Sequence, residues 1–221
     1  MQWIDRYQLF LFDLDGLLVN TEELHYRAYR DMLANRGYTI PWDFAAYFQI
    51  AQMDADAPRR AIYTAFSELE KEEPSWPVLY AEKKEAYRRI LEREPAPLLP
   101  GVERLLRLLK EKNVRRATVT HTSRALVDLI RRQNPVLNTI THWFCREDYN
   151  LPKPSPDGYL KAIQMLSKPG DAIIGFEDSF RGLQSLIDSG VTPVLVNSID
   201  PALRKTCRDK GIQTYSSFEE V

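Results

Sequence analysis

The chain has 221 residues, 44% of them hydrophobic, which suits one large domain or a core carrying a smaller insert. Lys and Arg number 30 against 31 Asp and Glu, a net charge of −1, which excludes a general attraction to nucleic acid or to an acidic membrane surface. Cys145 and Cys207 form no CxxC pattern and no stretch approaches bilayer-spanning length, so the composition predicts a soluble, cytoplasmic protein with neither disulfide framework nor zinc knuckle.

The first element is the apolar run Leu9-Phe10-Leu11-Phe12, which ends in Asp13-Leu14-Asp15-Gly16. Such a run reads as a fully buried strand, and carboxylates two residues apart share one face of it. Ligands of open α/β sheets bind at the carboxyl ends of strands. Nothing nearby in sequence neutralises the pair, so a cation or a shared proton is the expected remedy. A metal site, a catalytic dyad or both follow; the plain alternative is an Asp turn with a helix cap.

Residues 21–36 then show helical spacing, with Leu24, Ala28, Met32 and Leu33 on one face, Thr21 as N-cap and Gly37 as stop. Further helices are expected at 43–49, 59–70 and 78–91 with no strand between them, which makes an all-helical insert. Pro74-Ser75-Trp76-Pro77 breaks two of these helices, and the Pro-rich stretch 94–101 reads as a semi-rigid return linker. After it, helix and strand alternate as in a parallel sheet: helices at 102–112, 123–133 (capped by Ser123), 156–166 and 180–189, strands at 117–120, 143–145, 172–176 and, last, 193–196.

Three later segments place polar groups after apolar strands. Thr120-His121-Thr122-Ser123 offers hydroxyls and backbone amides at a helix start, suited to a phosphate or carboxylate oxygen, although such residues are also ordinary caps. Lys153-Pro154-Ser155-Pro156-Asp157 restrains a lysine that can neutralise a phosphate and a carboxylate together. Glu177-Asp178-Ser179 ends another apolar strand, and hard oxygen ligands of this kind suit Mg²⁺; Asp178 reads equally well as a helix cap. Together the strand ends supply a nucleophile, an acid/base, an anion clamp and a cation site.

With these four motifs in this order, the chain resembles the haloacid dehalogenase superfamily. The resemblance implies an α/β fold: a Rossmann-like parallel sheet core of residues 1–16 and 96–221, and a small helical cap domain of residues 17–95 inserted after the first strand. It implies Asp13 as nucleophile, Asp15 as general acid/base, Thr120 and Lys153 as phosphate clamp, and Mg²⁺ at Asp13, Asp15 and Asp178, with Glu177 helping directly or through water. A phosphomonoester dianion repels an anionic nucleophile, so attack by Asp13 calls for Mg²⁺ and Lys153 to offset charge. A true dehalogenase needs neither a second aspartate nor a metal, which counts against that chemistry.

The segment Asn20-Thr21-Glu22-Glu23-Leu24-His25 resembles the β-phosphoglucomutase and small sugar-phosphate phosphatase group. His25 and Lys83 fall where the mutases carry a cap histidine and lysine. Asn20 stands where they carry Asp, Arg124 where they carry Asn, and Ala51-Gln52-Met53-Asp54-Ala55-Asp56 replaces their Gly-bearing loop with its Arg. Arg59 and Arg60 either serve in that arginine's stead or form a solvated helix start. Substrate contacts are therefore expected from Thr120, His121, Lys153, His25, Lys83 and Arg124, with hinges near 16–20 and 95–101 gating the site. The expected function is an Mg²⁺-dependent phosphatase of a small phosphorylated metabolite, a monomer without nucleic acid or membrane partners. A phosphosugar mutase is the alternative, and a non-catalytic receiver-like or binding module the remoter one.

Overall fold

Strand β1 (Leu9–Phe12) is buried on both faces because it lies in the middle of a parallel sheet, where each alternate side chain meets its own hydrophobic layer. The computed structural model describes residues 3–54 and 56–221; Ala55 of the 51–56 segment lies outside the described residues. Five further strands complete the sheet: β2 (Arg115–Val119), β3 (His142–Phe144), β4 (Ile173–Glu177), β5 (Thr192–Val196) and β6 (Gln213–Tyr215), all parallel, in the order β3-β2-β1-β4-β5-β6. Helices α6 (Val102–Glu111), α7 (Arg124–Gln133), α8 (Asp157–Leu166), α9 (Phe180–Asp188) and α10 (Pro201–Asp209) connect them.

One sheet face carries Leu9 and Leu11 with Ala117, Val119, Phe144, Tyr159 and Leu186. The other carries stacked rings: Phe176 lies 5.3 Å from Phe12 and 6.1 Å from Phe10, nearly parallel to both, and Phe218 closes on it at 5.5 Å. This order reverses direction between β1 and β4, which creates the crevice where α/β sheets bind ligands. The flavodoxin-like order 2-1-3-4-5 does not occur, so the receiver-like alternative fails on topology.

The chain divides into two compact units, residues 1–20 with 97–221 and residues 21–96. The first boundary falls later than the sequence suggests, because Leu17 to Asn20 are tied to the sheet unit. Leu18 and Val19 donate to Leu14 O, Val19 bridges Leu98 antiparallel, Asn20 N–H donates to Pro97 O (2.8 Å) and Leu99 N–H to Leu18 O (3.1 Å).

The second unit holds α1 (Glu22–Asn35), α2 (Phe44–Met53), α3 (Ala57–Ala65), α4 (Ser67–Glu72) and α5 (Trp76–Arg93), around a core that includes Tyr29, Met32, Leu33, Ile62, Tyr63 and Leu79. Several expectations change. The single helix expected at 59–70 is two, because Phe66 leaves helical geometry (φ −133°, ψ 73°) to pack its ring 5.1 Å from Tyr38. Ala51, Gln52 and Met53 close α2 rather than forming a loop. Neither Thr21 nor Ser123 caps through its side chain; the Glu147 carboxylate accepts the Arg124 N–H instead. The strand at 193–196 is not the last, since α10 and β6 follow it. No helix among the described residues is long and apolar enough to cross a membrane.

Phe176 is fully buried among four aromatic rings, so Phe176→Ala is expected to cost about 3–5 kcal/mol in denaturant unfolding. Met165→Ala, on the surface of α8, is expected to stay within about 0.5 kcal/mol in the same measurement.

Candidate active site

Asp13 directly follows β1, and its N–H still donates to Phe176 O (3.1 Å), extending the ladder so that its carboxylate emerges at the β1–β4 reversal. Glu177 ends β4 and Asp178 follows it, on the neighbouring strand. Lys153 arrives from the β3–α8 connection, whose Lys153-Pro154 peptide is cis. Its Nζ donates to Asp13 Oδ1, to Glu177 Oε1 (2.5 Å) and to Val119 O (2.9 Å). All three side chains are nearly inaccessible, with Lys153 8% and Glu177 1% exposed, so little water competes for these contacts.

Burial pushes the Asp13 carboxyl up to about 8; Lys153 opposes the rise, while Glu177 and Asp15 add to it. Burial also works against the Lys153 charge, but Asp13 and Glu177 outweigh it and hold the ammonium above its ordinary range. Three buried carboxyl groups, of Asp13, Glu177 and Asp178, thus crowd around one buried ammonium. One carboxylate oxygen each from Asp13, Glu177 and Asp178 lies within 4.8 Å of the others. A buried, anionic, all-oxygen donor set of this kind fits Mg²⁺.

The Asp15 side chain lies outside that trio. Its Oδ2 accepts from Thr122 Oγ1 (2.5 Å) and Thr120 Oγ1 (3.3 Å), and the Thr122 N–H donates to Thr120 Oγ1 (3.0 Å). Asp13 and Asp15 thus have different partners: an ammonium for one and two hydroxyls for the other. Glu177 is also more constrained than a plain ligand. Besides Lys153, the Tyr159 hydroxyl donates to its Oε1 (2.5 Å), and a Cβ at Gly182 would fall 1.9 Å from its Oε2. Burial, with Glu177 beside it, keeps the Tyr159 hydroxyl protonated and therefore a donor.

His121 turns inward rather than standing free, because its Nε2 accepts the Lys153 N–H (2.7 Å) while the outer ring edge remains exposed. Burial of the inner edge and the charges of Lys153, Arg181 and Arg146 lower its pKa, so the imidazole is neutral and can accept. Arg124 is tied to Asp148 and to Trp143 O. In the helical unit, Lys83 is 5% exposed; its Nζ donates to His25 Nδ1 (2.8 Å) and lies 4.9 Å from the Tyr29 ring centre, while His25 stacks on Tyr87 at 4.2 Å. Arg59 and Arg60 pair with Asp56 and Asp54, which makes them a self-neutralised helix start.

Two contributors, Tyr159 and Asn197, escaped the motif reading, and a third, Thr122, lies in the Thr120–Ser123 turn but holds Asp15 rather than an oxyanion. Tyr159 and Thr122 orient the carboxylates as described, and Asn197 orients the backbone. Its Nδ2 donates to Asp178 O (2.7 Å), while its Oδ1 accepts the N–H groups of Ile199 and Asp200 at the start of α10. Ser179, not Asp178, caps α9 by accepting the Gly182 N–H (3.1 Å). That leaves the Asp178 carboxylate to the cluster.

A parallel sheet in this order, with a lysine-held aspartate at its reversal point, defines a Rossmann-like enzyme built on strand-end carboxylates. The chain belongs to the haloacid dehalogenase-like hydrolase family, whose model matches residues 7–190. It is 31% identical over 218 residues to a probable pseudouridine-5'-phosphatase of Drosophila melanogaster, spanning 95% of this chain and 89% of that one. Protein CbbY of Rhodobacter capsulatus is 30% identical over 191 residues, spanning 85% and 84% respectively. Among solved structures, CbbY from Rhodobacter sphaeroides in complex with phosphate matches with a TM-score of 0.78 at 25% identity, covering 97% of this chain and 96% of that one.

Gly182→Ala should improve helix propensity by up to about 1 kcal/mol. The added methyl would nevertheless collide with the Glu177 carboxylate, so the net expectation is a loss of about 1–3 kcal/mol in denaturant unfolding. Tyr159→Phe removes one donor from a buried acceptor that keeps Lys153, and is expected to cost about 1–2 kcal/mol by the same measurement.

Proposed function

We propose that the protein is an Mg²⁺-dependent phosphatase that hydrolyses the phosphomonoester of a small metabolite through an aspartyl-phosphate on Asp13. The observation that carries the reading is the division of the two aspartates: Asp13 bound to Lys153 and clustered with Asp178, Asp15 held by two hydroxyls. The phosphatase named among its relatives and the phosphate-bound CbbY structure support it.

In this reading an Asp13 carboxylate oxygen attacks phosphorus, the bond to the ester oxygen breaks, and the leaving oxygen takes a proton from Asp15. Asp15, now ionised, removes a proton from the water that attacks the same phosphorus; the bond between phosphorus and the Asp13 oxygen breaks, phosphate leaves and the Asp13 carboxylate is restored. Thr120 and Thr122 hold Asp15 in one orientation through both steps. Lys153 keeps its charge throughout and offsets that of the transferring group, and His121 fixes its backbone. Mg²⁺, held by Asp13 and Asp178 when bound, supplies charge neutralisation at the phosphoryl oxygens. Glu177 acts by positioning Lys153. Within the helical unit, the His25–Lys83 pair is the candidate for selecting the organic part of the substrate.

The test is a screen of phosphorylated metabolites with Mg²⁺ on the intact chain and two variants. Asp13→Asn is expected to lower turnover at least about a thousandfold and to abolish labelling of the protein by radioactive phosphoryl donors. Asp15→Asn is expected to lower it by about 10²–10⁴. Chelation should remove activity and added Mg²⁺ restore it. Undiminished turnover in Asp13→Asn would sink the assignment of the nucleophile.

A further inference from the structure

Arg181 is an anomaly of charge pairing. It lies in the first turn of α9, three residues beyond Asp178, and is partly buried. The other partly buried arginines among the described residues are matched to carboxylates, as Arg115 is to Asp171, or to carbonyl oxygens, as Arg146 is to Tyr149 O and Asn150 O. Arg181 takes no hydrogen bond and no ion pair among the described residues. Partial burial weakens the hydration of a guanidinium without removing its need for acceptors, so an unmatched one is held at a cost unless something else supplies the oxygens.

Its position is set by the helix. Residues four apart share a helix face, so Arg181 lies one turn above Ser185, toward the sheet edge that carries the carboxylates. Ser185 Oγ donates to Ser155 O (2.7 Å), which binds that face to the Lys153–Ser155 segment. Arg181 therefore belongs to the helix end next to the segment that delivers Lys153, and its charge acts on the His121 ring, which accepts the Lys153 N–H. Asp13 and Glu177 take the Lys153 ammonium, and among the described residues no carboxylate of the cluster forms an ion pair with Arg181. A rim cation with this geometry suits a planar, two-oxygen anion next to the transferring phosphoryl group.

We infer that Arg181 is a specificity residue that binds a second oxyanion of the substrate, carboxylate or phosphate, and that the preferred substrates are phosphomonoesters carrying such a group. The inference rests on the phosphatase reading for its first phosphate and on Arg181 alone for its second anion. It accounts for the unmatched charge, which neither the nucleophile nor the acid/base uses.

Two probe pairs differ by one anion: glycerol 3-phosphate against 3-phosphoglycerate, which adds a carboxylate, and fructose 6-phosphate against fructose 1,6-bisphosphate, which adds a phosphate. The expected result is a kcat/KM preference of the intact chain for the doubly anionic member of at least one pair. That preference should fall about ten- to a hundredfold in Arg181→Gln, mainly through KM, and recover in part in Arg181→Lys. The pair that responds identifies which oxyanion is bound. An unchanged ratio in both pairs, or a loss shared equally by both members, overturns the assignment.

A second measurement separates this inference from the reading beneath it: calorimetric binding of the same four compounds with Mg²⁺ to Asp13→Asn and to Asp13→Asn with Arg181→Gln. If the intact chain hydrolyses neither these four nor any other phosphomonoester of the metabolite screen while the second-anion preference in binding depends on Arg181, the phosphatase reading fails and the Arg181 site stands. Hydrolysis with no Arg181-dependent preference in either measurement overturns the Arg181 site and leaves the phosphatase standing.

Discussion

One ammonium shared by two buried carboxylates governs this structure. Lys153 Nζ binds Asp13 and Glu177 at once, in a place where neither charge can turn to water. A buried ion pair is not in itself a large source of stability, because desolvation offsets most of the attraction, but removing one member strands the others. The surrounding contacts follow from that constraint. Tyr159 gives Glu177 its second donor, Val119 O takes part of the ammonium, and His121 pins the lysine's own backbone. The same constraint makes the crowding of carboxyl groups around Asp13 useful, since a divalent cation would relieve it.

The sheet order is what makes such crowding attainable. Because β1 and β4 are neighbours, residues far apart in sequence end on adjacent strands at the one place where the connections diverge. The hydrophobic layers on both faces fix the register, and a one-residue slip would turn the carboxylates away from each other. Chemistry at the strand ends therefore depends on the phenylalanine stack and the leucine layer beneath it as directly as on the polar residues themselves.

What the sequence made legible was whatever is local. Apolar runs ending in carboxylates identify β1 and β4, because a buried strand and its exit need no distant partner to be recognised. The elements that went unread are those whose burial comes from elsewhere. Helix α10 buries only Cys207, and β6 is a three-residue edge strand without an apolar run. The break at Phe66 depends on Tyr38 across the helical unit, and the cap of α7 on Glu147 in another segment. Among the site residues, Asp13, Thr120, Lys153, Glu177 and Asp178 could be named from their motifs, while Tyr159 looks like any core aromatic and Asn197 like any loop amide. Their roles exist only in three dimensions.

The paired crossings at Asn20–Pro97 and Leu18–Leu99 carry a different implication. They close the sheet unit on itself with its own hydrogen bonds, so β1 and α6 are joined by backbone contacts as well as by the long covalent route through the helices. For the sheet, the inserted segment then acts as a loop with fixed ends, and each doubling of such a loop adds only about 0.6 kcal/mol of closure entropy. An architecture of this kind can exchange, enlarge or trim its insert at little thermodynamic expense to the catalytic half. The insert and the sheet unit are thereby free to change at different rates.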